Sequence, residues 1–106
     1  MPAAARGNSI DTVASPDGTG VCCALPSTQS TDVCSSTVFY NNIGAVRQHD
    51  AMIVHLFDGP CCNPHAPTLP SASPNVFIEN KQAGRLGDAY GGDHPISSGS
   101  PDVFIN

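Results

Sequence analysis

Short apolar triplets recur at three places along the chain, and each is preceded by Ser and by turn-forming residues. They occupy residues 38–40, 76–78 and 103–105, and each reads Val-Phe followed by Tyr or Ile. β-Branched and aromatic residues favour strands. Because polar and turn-forming residues separate the triplets, the pattern predicts an all-β chain of short strands.

A tight turn is expected after each of the first two triplets. Asn41-Asn42 and Asn80-Lys81 follow them, and such residues tolerate the left-handed backbone of hairpin turns. The segments beyond the turns, residues 44–47 and 82–85, each contain Gly and Ala and end in Arg. The sequence therefore predicts two β-hairpins with these segments as the return strands.

The two hairpins are copies of one unit, and the chain ends supply a third. The spacing from Val38 to Arg47 equals the spacing from Val76 to Arg85. Each Arg is followed three residues later by Asp. Ala5-Arg6 matches the end of such a unit, and residues 103–106 match the start of another. We therefore expect three cyclically permuted units that form a small cone or prism with pseudo-threefold symmetry.

Long loops connect the predicted hairpins, at about residues 7–31, 51–69 and 89–98. They are rich in Pro, Gly, Ser, Cys and His, and loops of this length are usually functional. Residues 45–58 contain neither Gly nor Pro, so a short helix is an alternative there. The β-branched residues in that window favour extended structure instead.

Composition narrows the class of protein. The 106 residues fit one domain, and 10 Gly with 10 Pro argue against a helical bundle. The net charge of −5, with four Lys and Arg in all, argues against nucleic-acid binding. No apolar run is long enough for a membrane span or a secretory leader. Because the large apolar residues are few, a metal, disulfides or a partner surface is expected to stabilise the fold.

Cys and His residues in the loops are candidate metal ligands. His55 and His65 lie in the second long loop, His94 lies in the third, and Cys22 and Cys23 lie in the first. Imidazole and thiolate together favour zinc, and three His with one Cys complete a tetrahedron. Such a closed site would be structural, and folding would depend on the metal.

Other readings of these residues stay open. Cys61 and Cys62 compete with His65 as ligands, and a disulfide between Cys23 and Cys62 is an alternative. Isolated loop His residues are often plain polar surface. Cys34 is expected to be a small packed residue. His49 takes the place of Gly87 in the repeat and is expected to be solvated or hydrogen-bonded.

The opening Pro-Ala-Ala-Ala-Arg, the Arg-Leu-Gly-Asp at residues 85–88 and the Gly-Ser-Pro-Asp-Val-Phe-Ile-Asn ending together resemble the PAAR-repeat family. Proteins of that family cap the spikes of type VI secretion systems and contractile phage tails. The resemblance covers nearly the whole chain and implies a small cone of three β-hairpins with zinc near the tip. The base of such a cone sits on a trimeric β-helical spike protein.

The resemblance also implies a ligand set. Carried over by position, Cys23, His55, His65 and His94 would bind one structural zinc ion, with Cys23 preferred to Cys22. Three features depart from the family pattern. The first unit reads Arg6-Gly7-Asn8 instead of Arg-x-Gly-Asp, His49 replaces a Gly, and the first two loops are longer than in minimal members. The longer loops resemble phage versions.

The implied function is mechanical. Residues 1–106 would form a single domain without an effector extension, at a virion tail tip or in the cytoplasm until ejection. It would cap and sharpen the spike for piercing a cell envelope, touch the membrane mechanically only, and bind no nucleic acid. An enzyme is not expected, because Asp93 and Asp58 are the only candidate bases near the His residues. The alternative is a small disulfide-stapled or zinc-stabilised binding module unrelated to spikes.

Overall fold

The structure, a computed structural model, describes residues 1–16, 28–57 and 63–106. Its described residues contain β-strands and turns but no α-helix, which confirms the all-β prediction. Residues 45–57 form isolated bridges, a turn at residues 48 and 49 and a strand at residues 55–57, so the helical alternative there is wrong. The strands are β1 Thr12–Ala14, β2 Thr28–Ser30, β3 Phe39–Tyr40, β4 Ile43–Gly44, β5 His55–Phe57, β6 Asn63–His65, β7 Phe77–Ile78, β8 Lys81–Gln82, β9 Ala89–Tyr90 and β10 His94–Pro95.

Strands β3 and β4 form one hairpin, and strands β7 and β8 form another, each joined by a two-residue turn. Both residues of each turn have positive φ, at 55° and 66° for Asn41 and Asn42 and at 54° and 67° for Glu79 and Asn80. Two consecutive left-handed residues make the turn that matches the natural twist of a hairpin. The turn therefore lies one residue earlier in the second hairpin than Asn80-Lys81.

The two ends of the chain pair in the same way. Ala3 lies opposite Phe104 in an antiparallel bridge. The Ala4 amide donates to the Val103 carbonyl at 2.9 Å, and the Ile105 amide donates to the Pro2 carbonyl at 3.0 Å. The expected closure of the N-terminal segment against the C-terminal segment is therefore present.

A closed ring of backbone hydrogen bonds links these three strand pairs. Ala5 donates to the Gly84 carbonyl at 3.1 Å, Gly84 donates to Val46 at 2.8 Å, and Val46 donates to Ala5 at 3.1 Å. All three residues are buried. Gly84 permits this close approach, because a Cβ there would lie 2.9 Å from Val46 Cγ1.

Three further hairpins extend from the ring: β1 with β2, β5 with β6, and β9 with β10. They join side by side in a second cycle. The first and second hairpins are joined by a bridge between Thr31 and Met52. The second and third are joined by a hydrogen bond from the Gly91 amide to the Thr68 carbonyl at 2.9 Å. The third and first are joined by a bridge between Val13 and Ile96.

Two apolar clusters fill the interior. The smaller consists of Ala45, Ile78 and Ala83, and partly buried residues of the Val-Phe triplets pack against it. The larger lies among the extended hairpins and consists of Ala5, Val13, Val46, Met52, Leu69, Ala72, Tyr90 and Ile96. The molecule measures 40 × 24 × 22 Å, so this modest core is spread along an elongated body.

Each unit also carries an Arg–Asp pair. Arg47 and Arg85 each bind the Asp three residues later through the backbone amide and the guanidinium. Arg6 makes the same contacts with Asp11, which is fully buried. The first unit therefore keeps the interaction although its sequence reads Arg6-Gly7-Asn8, because the intervening turn is two residues longer. Sequence analysis missed Asp11.

Candidate metal centre

Two adjacent hairpins bring three His side chains to one point. His55 in β5 and His65 in β6 are directly opposite each other across their hairpin. His94 begins β10, after a turn in which Gly92 and Asp93 have positive φ. Since the second and third hairpins are neighbours, His94 lies beside the first two.

The imidazole nitrogens converge closely. His55 Nε2 lies 2.8 Å from His65 Nε2 and 3.2 Å from His94 Nε2. One ligand atom from each residue lies within 4.8 Å of the other two. The ring planes are inclined to one another by 63° to 65°, as expected for rings that point inward toward a common centre. Three His residues are therefore close enough to bind one metal ion.

These separations fit a tetrahedral ion. With a Zn–N distance of about 2.0–2.1 Å, two ligands at the corners of a tetrahedron lie about 3.3 Å apart. The observed 3.2 Å matches that edge, and 2.8 Å requires the His65 ring to move back by about half an ångström. Imidazole ligands also suit copper, nickel and iron, so the donor set alone does not select zinc.

Backbone carbonyls fix the orientation of two rings. His55 Nδ1 lies 3.0 Å from the Ile53 carbonyl oxygen, and His94 Nδ1 lies 2.9 Å from the Gly91 carbonyl oxygen. A carbonyl oxygen can only accept, so each Nδ1 carries the proton. In a neutral ring, Nε2 then presents its lone pair to the centre, which is the tautomer that a metal-binding His requires.

Burial strengthens the case for a cation at this point. His94 is fully buried, His55 is nearly so, and His65 is half-buried. A metal ion among the three nitrogens would bind all three at a position largely shielded from water.

The fourth predicted ligand, Cys23, lies outside the described residues. So do Cys22, Cys61 and Cys62, and with them the alternative disulfide. The described ends of the first loop are nevertheless informative, because strand β1 lies beside β10 through the bridge between Val13 and Ile96. Strand β1, which precedes that loop in the sequence, therefore lies beside the hairpin that carries His94.

Cys34 and His49, the two residues that were not expected to bind metal, lie in other environments. Cys34 packs against Gly7 and Gly44, where an added Cβ on either glycine would lie 2.6 Å from its Sγ atom. Burial raises the pKa of the Cys34 thiol. His49 is exposed with φ at 73°, and its amide donates to the Leu69 carbonyl at 2.7 Å. Neither belongs to the group of three His residues.

Of the two candidate catalytic bases, Asp93 and Asp58, the structure describes only Asp93. Asp93 is exposed in the turn before His94, whereas Asp58 lies outside the described residues. Sequence analysis missed the carbonyls of Ile53 and Gly91. No residue type marks a backbone acceptor in a sequence, so no signal was available to find them.

Comparison with known proteins gives no family assignment. No protein-family model matches the chain, and no curated protein sequence is similar to it. Among the described residues, no helix has both the length and the apolar character needed to cross a membrane.

Proposed function

We propose that the protein is the tip of a contractile injection machine and that it caps and sharpens a trimeric β-helical spike. The observation that carries the proposal is the ring of Ala5, Val46 and Gly84, in which one backbone hydrogen bond recurs three times. A chain that repeats one contact in a closed cycle matches the end of a trimer, because each unit can face one subunit. In this proposal the units surround a pseudo-threefold axis and taper to a cone.

Side-chain contacts between units support the same arrangement. Three residues before the Val of each triplet lies a Ser whose hydroxyl accepts a hydrogen bond from the amide of that Val. The same hydroxyl donates a hydrogen bond to the residue that directly follows the triplet of the next unit. The acceptors follow one another in a cycle, because the first unit reaches the second, the second reaches the third, and the third reaches the first. The pairs are Ser35 with Glu79, Ser73 with Asn106, and Ser100 with Asn41.

The surface proposed to meet the spike carries three equivalent aromatic residues. Phe39, Phe77 and Phe104 are 55%, 58% and 50% exposed, whereas the neighbours of each Phe in its triplet are half-buried or buried. Exposed aromatic side chains at equivalent positions are typical anchors of a protein interface. One Phe per unit supplies one anchor for each subunit of a trimeric partner.

We propose that His55, His65, His94 and Cys23 hold one zinc ion. The ion supplies a rigid crosslink and no chemistry, since four protein ligands leave no open position for a substrate. It joins the second and third hairpins directly and joins the first through its loop. A load on the tip is then shared by three loops, as a piercing tip requires, and we assign the protein no enzymatic activity.

The metal assignment has a direct test with a matched control. Purified protein should contain one zinc per chain by mass spectrometry. His94→Ala, in the buried centre, should lose the metal and much of its thermal stability, because structural zinc contributes folding free energy. His49→Ala, outside the group of three His residues, should keep both. A protein without zinc whose melting temperature is unchanged by chelators would contradict the proposal.

The spike assignment is tested by co-expression with the trimeric spike protein encoded nearest in the genome. Native mass spectrometry should show one chain per trimer. Changing the three exposed Phe residues to Ser should abolish the complex, while Ser at the exposed positions Ile10, Val54 and Leu86 should leave it intact. A folded, zinc-loaded chain that does not bind the trimer would point to the alternative, a zinc-stabilised binding module.

The setting follows from the same proposal. The protein would sit at a virion tail tip, or in the cytoplasm until a secretion apparatus ejects it. It would touch the target membrane only mechanically and would bind no nucleic acid. The genes that surround it, for a phage tail or for a secretion system, would decide between the two machines.

A further inference from the structure

One of the three equivalent strand pairs is built from segments that are distant in sequence. In the other two, a turn of two residues joins the strands. Here residues 2–4 pair with residues 103–105, and Ala3 lies opposite Phe104. No local turn holds this pair together, so the C-terminal strand behaves as a peptide seated in a site made by the rest of the chain.

Backbone contacts define that site along the full length of the strand. Ser100 donates to the Ala4 carbonyl at 2.8 Å, Ala4 donates to Val103 at 2.9 Å, and Ile105 donates to Pro2 at 3.0 Å. Addition of an extended segment to an unpaired strand edge is a common mode of peptide recognition. The N-terminal segment offers such an edge whenever the C-terminal strand leaves.

Side chains add sequence preference to the backbone pairing. Ile105 packs against the cluster of Ala45, Ile78 and Ala83. At the other end of the strand, the Ser100 hydroxyl donates to Asn41 Oδ1 at 2.7 Å. The site therefore selects an extended segment with a hydroxyl at its start and an aliphatic residue five positions later.

Asn41 also recognises Asp102, and Ser73 caps the end of the segment. The Asn41 side-chain amide donates to Asp102 Oδ1 at 2.8 Å, and the Ser73 hydroxyl donates to the Asn106 carbonyl. The described chain thus contacts the segment at both ends and along its middle.

A short hinge connects the segment to the body. The Ser97 amide donates to the Thr12 carbonyl at 2.8 Å, and the Ser98 hydroxyl donates to Asp11 Oδ1 at 3.0 Å. These bonds hold the chain up to residue 98. Gly99 follows in close contact with the N-terminal segment, where a Cβ would lie 2.9 Å from Ala3 Cβ and 2.9 Å from the Ala4 carbonyl oxygen. When the strand leaves, Gly99 loses the bond that its carbonyl accepts from the Arg6 guanidinium at 3.3 Å, whereas the bonds between Arg6 and Asp11 do not involve the segment.

We propose that the edge formed by residues 2–4, together with Asn41 and Ser73, is a binding site for an extended Ser-Pro-Asp-Val-Phe-Ile-Asn segment, and that a second copy of this chain supplies that segment in a strand-exchanged dimer. Within one chain the segment is present at an effective concentration of the order of millimolar. The closed monomer therefore dominates in dilute solution, and exchange grows as the protein concentration approaches that range. The inference depends on these contacts alone and not on the proposed spike or zinc.

The first test uses the full chain and a fluorescent peptide with the sequence of residues 100–106, measured by anisotropy. Wild-type protein should bind it weakly, because its own strand competes and only the open fraction is competent. Ile105→Ala in the protein weakens the competitor but leaves the site intact, so peptide affinity should rise at least tenfold. The same substitution placed in the peptide should lower affinity by a similar factor.

The controls separate binding from unfolding. A chain whose two ends are joined by a short Gly-Ser linker keeps the fold but cannot release the strand, so it should bind no peptide and form no dimer after concentrated refolding. Wild-type protein refolded at millimolar concentration should give a dimer by native mass spectrometry. Should Ile105→Ala unfold, the milder Ile105→Val replaces it. Equal peptide affinity in the wild-type, weakened and linked chains, or a dimer of the linked chain, would overturn the proposal.

Discussion

Replacement of Gly44 by Ala should be among the most damaging single-methyl changes in the described part of the chain. A Cβ at residue 44 would lie 2.3 Å from the Ser35 carbonyl oxygen and 2.6 Å from Cys34 Sγ. Both distances are below any normal contact, and the first involves backbone. The Ser35 amide donates to the Ala45 carbonyl at 2.8 Å, so the strand segment cannot retreat without stretching a hydrogen bond.

The expected cost has two parts. Overpacking of a well-packed interior costs about 1–3 kcal/mol, and loss of one hydrogen bond adds about 1 kcal/mol. Gly44→Ala should therefore lower the free energy of unfolding by about 2–4 kcal/mol. For a domain near 100 residues this corresponds to a melting temperature lower by roughly 10–25 °C, measured by calorimetry on protein with the same metal content.

Gly91→Ala is the matched control. The nearest atom to a Cβ at residue 91 is the Thr68 carbonyl oxygen at 3.8 Å, which is an ordinary contact, so stability should change by less than about 0.5 kcal/mol. A double-mutant cycle with Cys34→Ala tests the geometry further. Removing the thiol relieves one of the two clashes with Gly44→Ala, so recovery should be partial. Equal stability of the two glycine variants, or complete rescue by Cys34→Ala, would refute the reasoning.

Three other changes have predicted signs. His49→Gly should raise the unfolding free energy by about 1 kcal/mol, because His49 has φ at 73° and the equivalent Gly87 has φ at 94°; a lower melting temperature would show that its side chain stabilises the fold. Tyr90→Phe should raise the free energy of unfolding by about 1 kcal/mol, since the buried Tyr90 hydroxyl has no hydrogen-bond partner among the described residues. Tyr40→Phe, at a half-buried position, is the control. If only the Tyr90 change lowered stability, the hydroxyl would have a partner in residues 17–27 or 58–62. Hydrogen bonds from Ser35, then Thr37 and Arg47, lower the pKa of Glu79. The stability that Glu79 contributes is therefore present above the ordinary carboxyl pKa and is lost as the pH falls through the lowered pKa. Glu79→Gln should reduce this loss of stability at acid pH in melting curves recorded over a pH series, and an unchanged acid dependence would exclude the contribution.

The repeat explains why much of the fold was predictable. Apolar triplets and turn residues are local signals, and they identified the hairpins at residues 39–44 and 77–82. The pairing of the chain ends followed from matching partial units, which needs no knowledge of packing. The turn at Glu79 was missed by one residue, because Glu is an uncommon choice for positive φ and its side-chain bonds to Ser35 and Thr37 compensate.

Less of the site was predictable. The sequence indicated His55, His65 and His94 as ligands, and their proximity is confirmed. It could not indicate the Ile53 and Gly91 carbonyls, which act through backbone geometry alone. Asp11 was missed for a related reason, because its turn differs in length from those of the other units and only the folded chain brings it to Arg6.

The ring of Ala5, Val46 and Gly84 has a consequence for folding during synthesis on the ribosome. Each of its bonds joins residues far apart in sequence, and such non-local contacts slow folding. The ring cannot close before residue 84 has been synthesised, and the strand pair beside it must wait for residues 103–105. We therefore expect the nascent chain to stay open until residues 103–105 have been synthesised and then to fold as one cooperative unit.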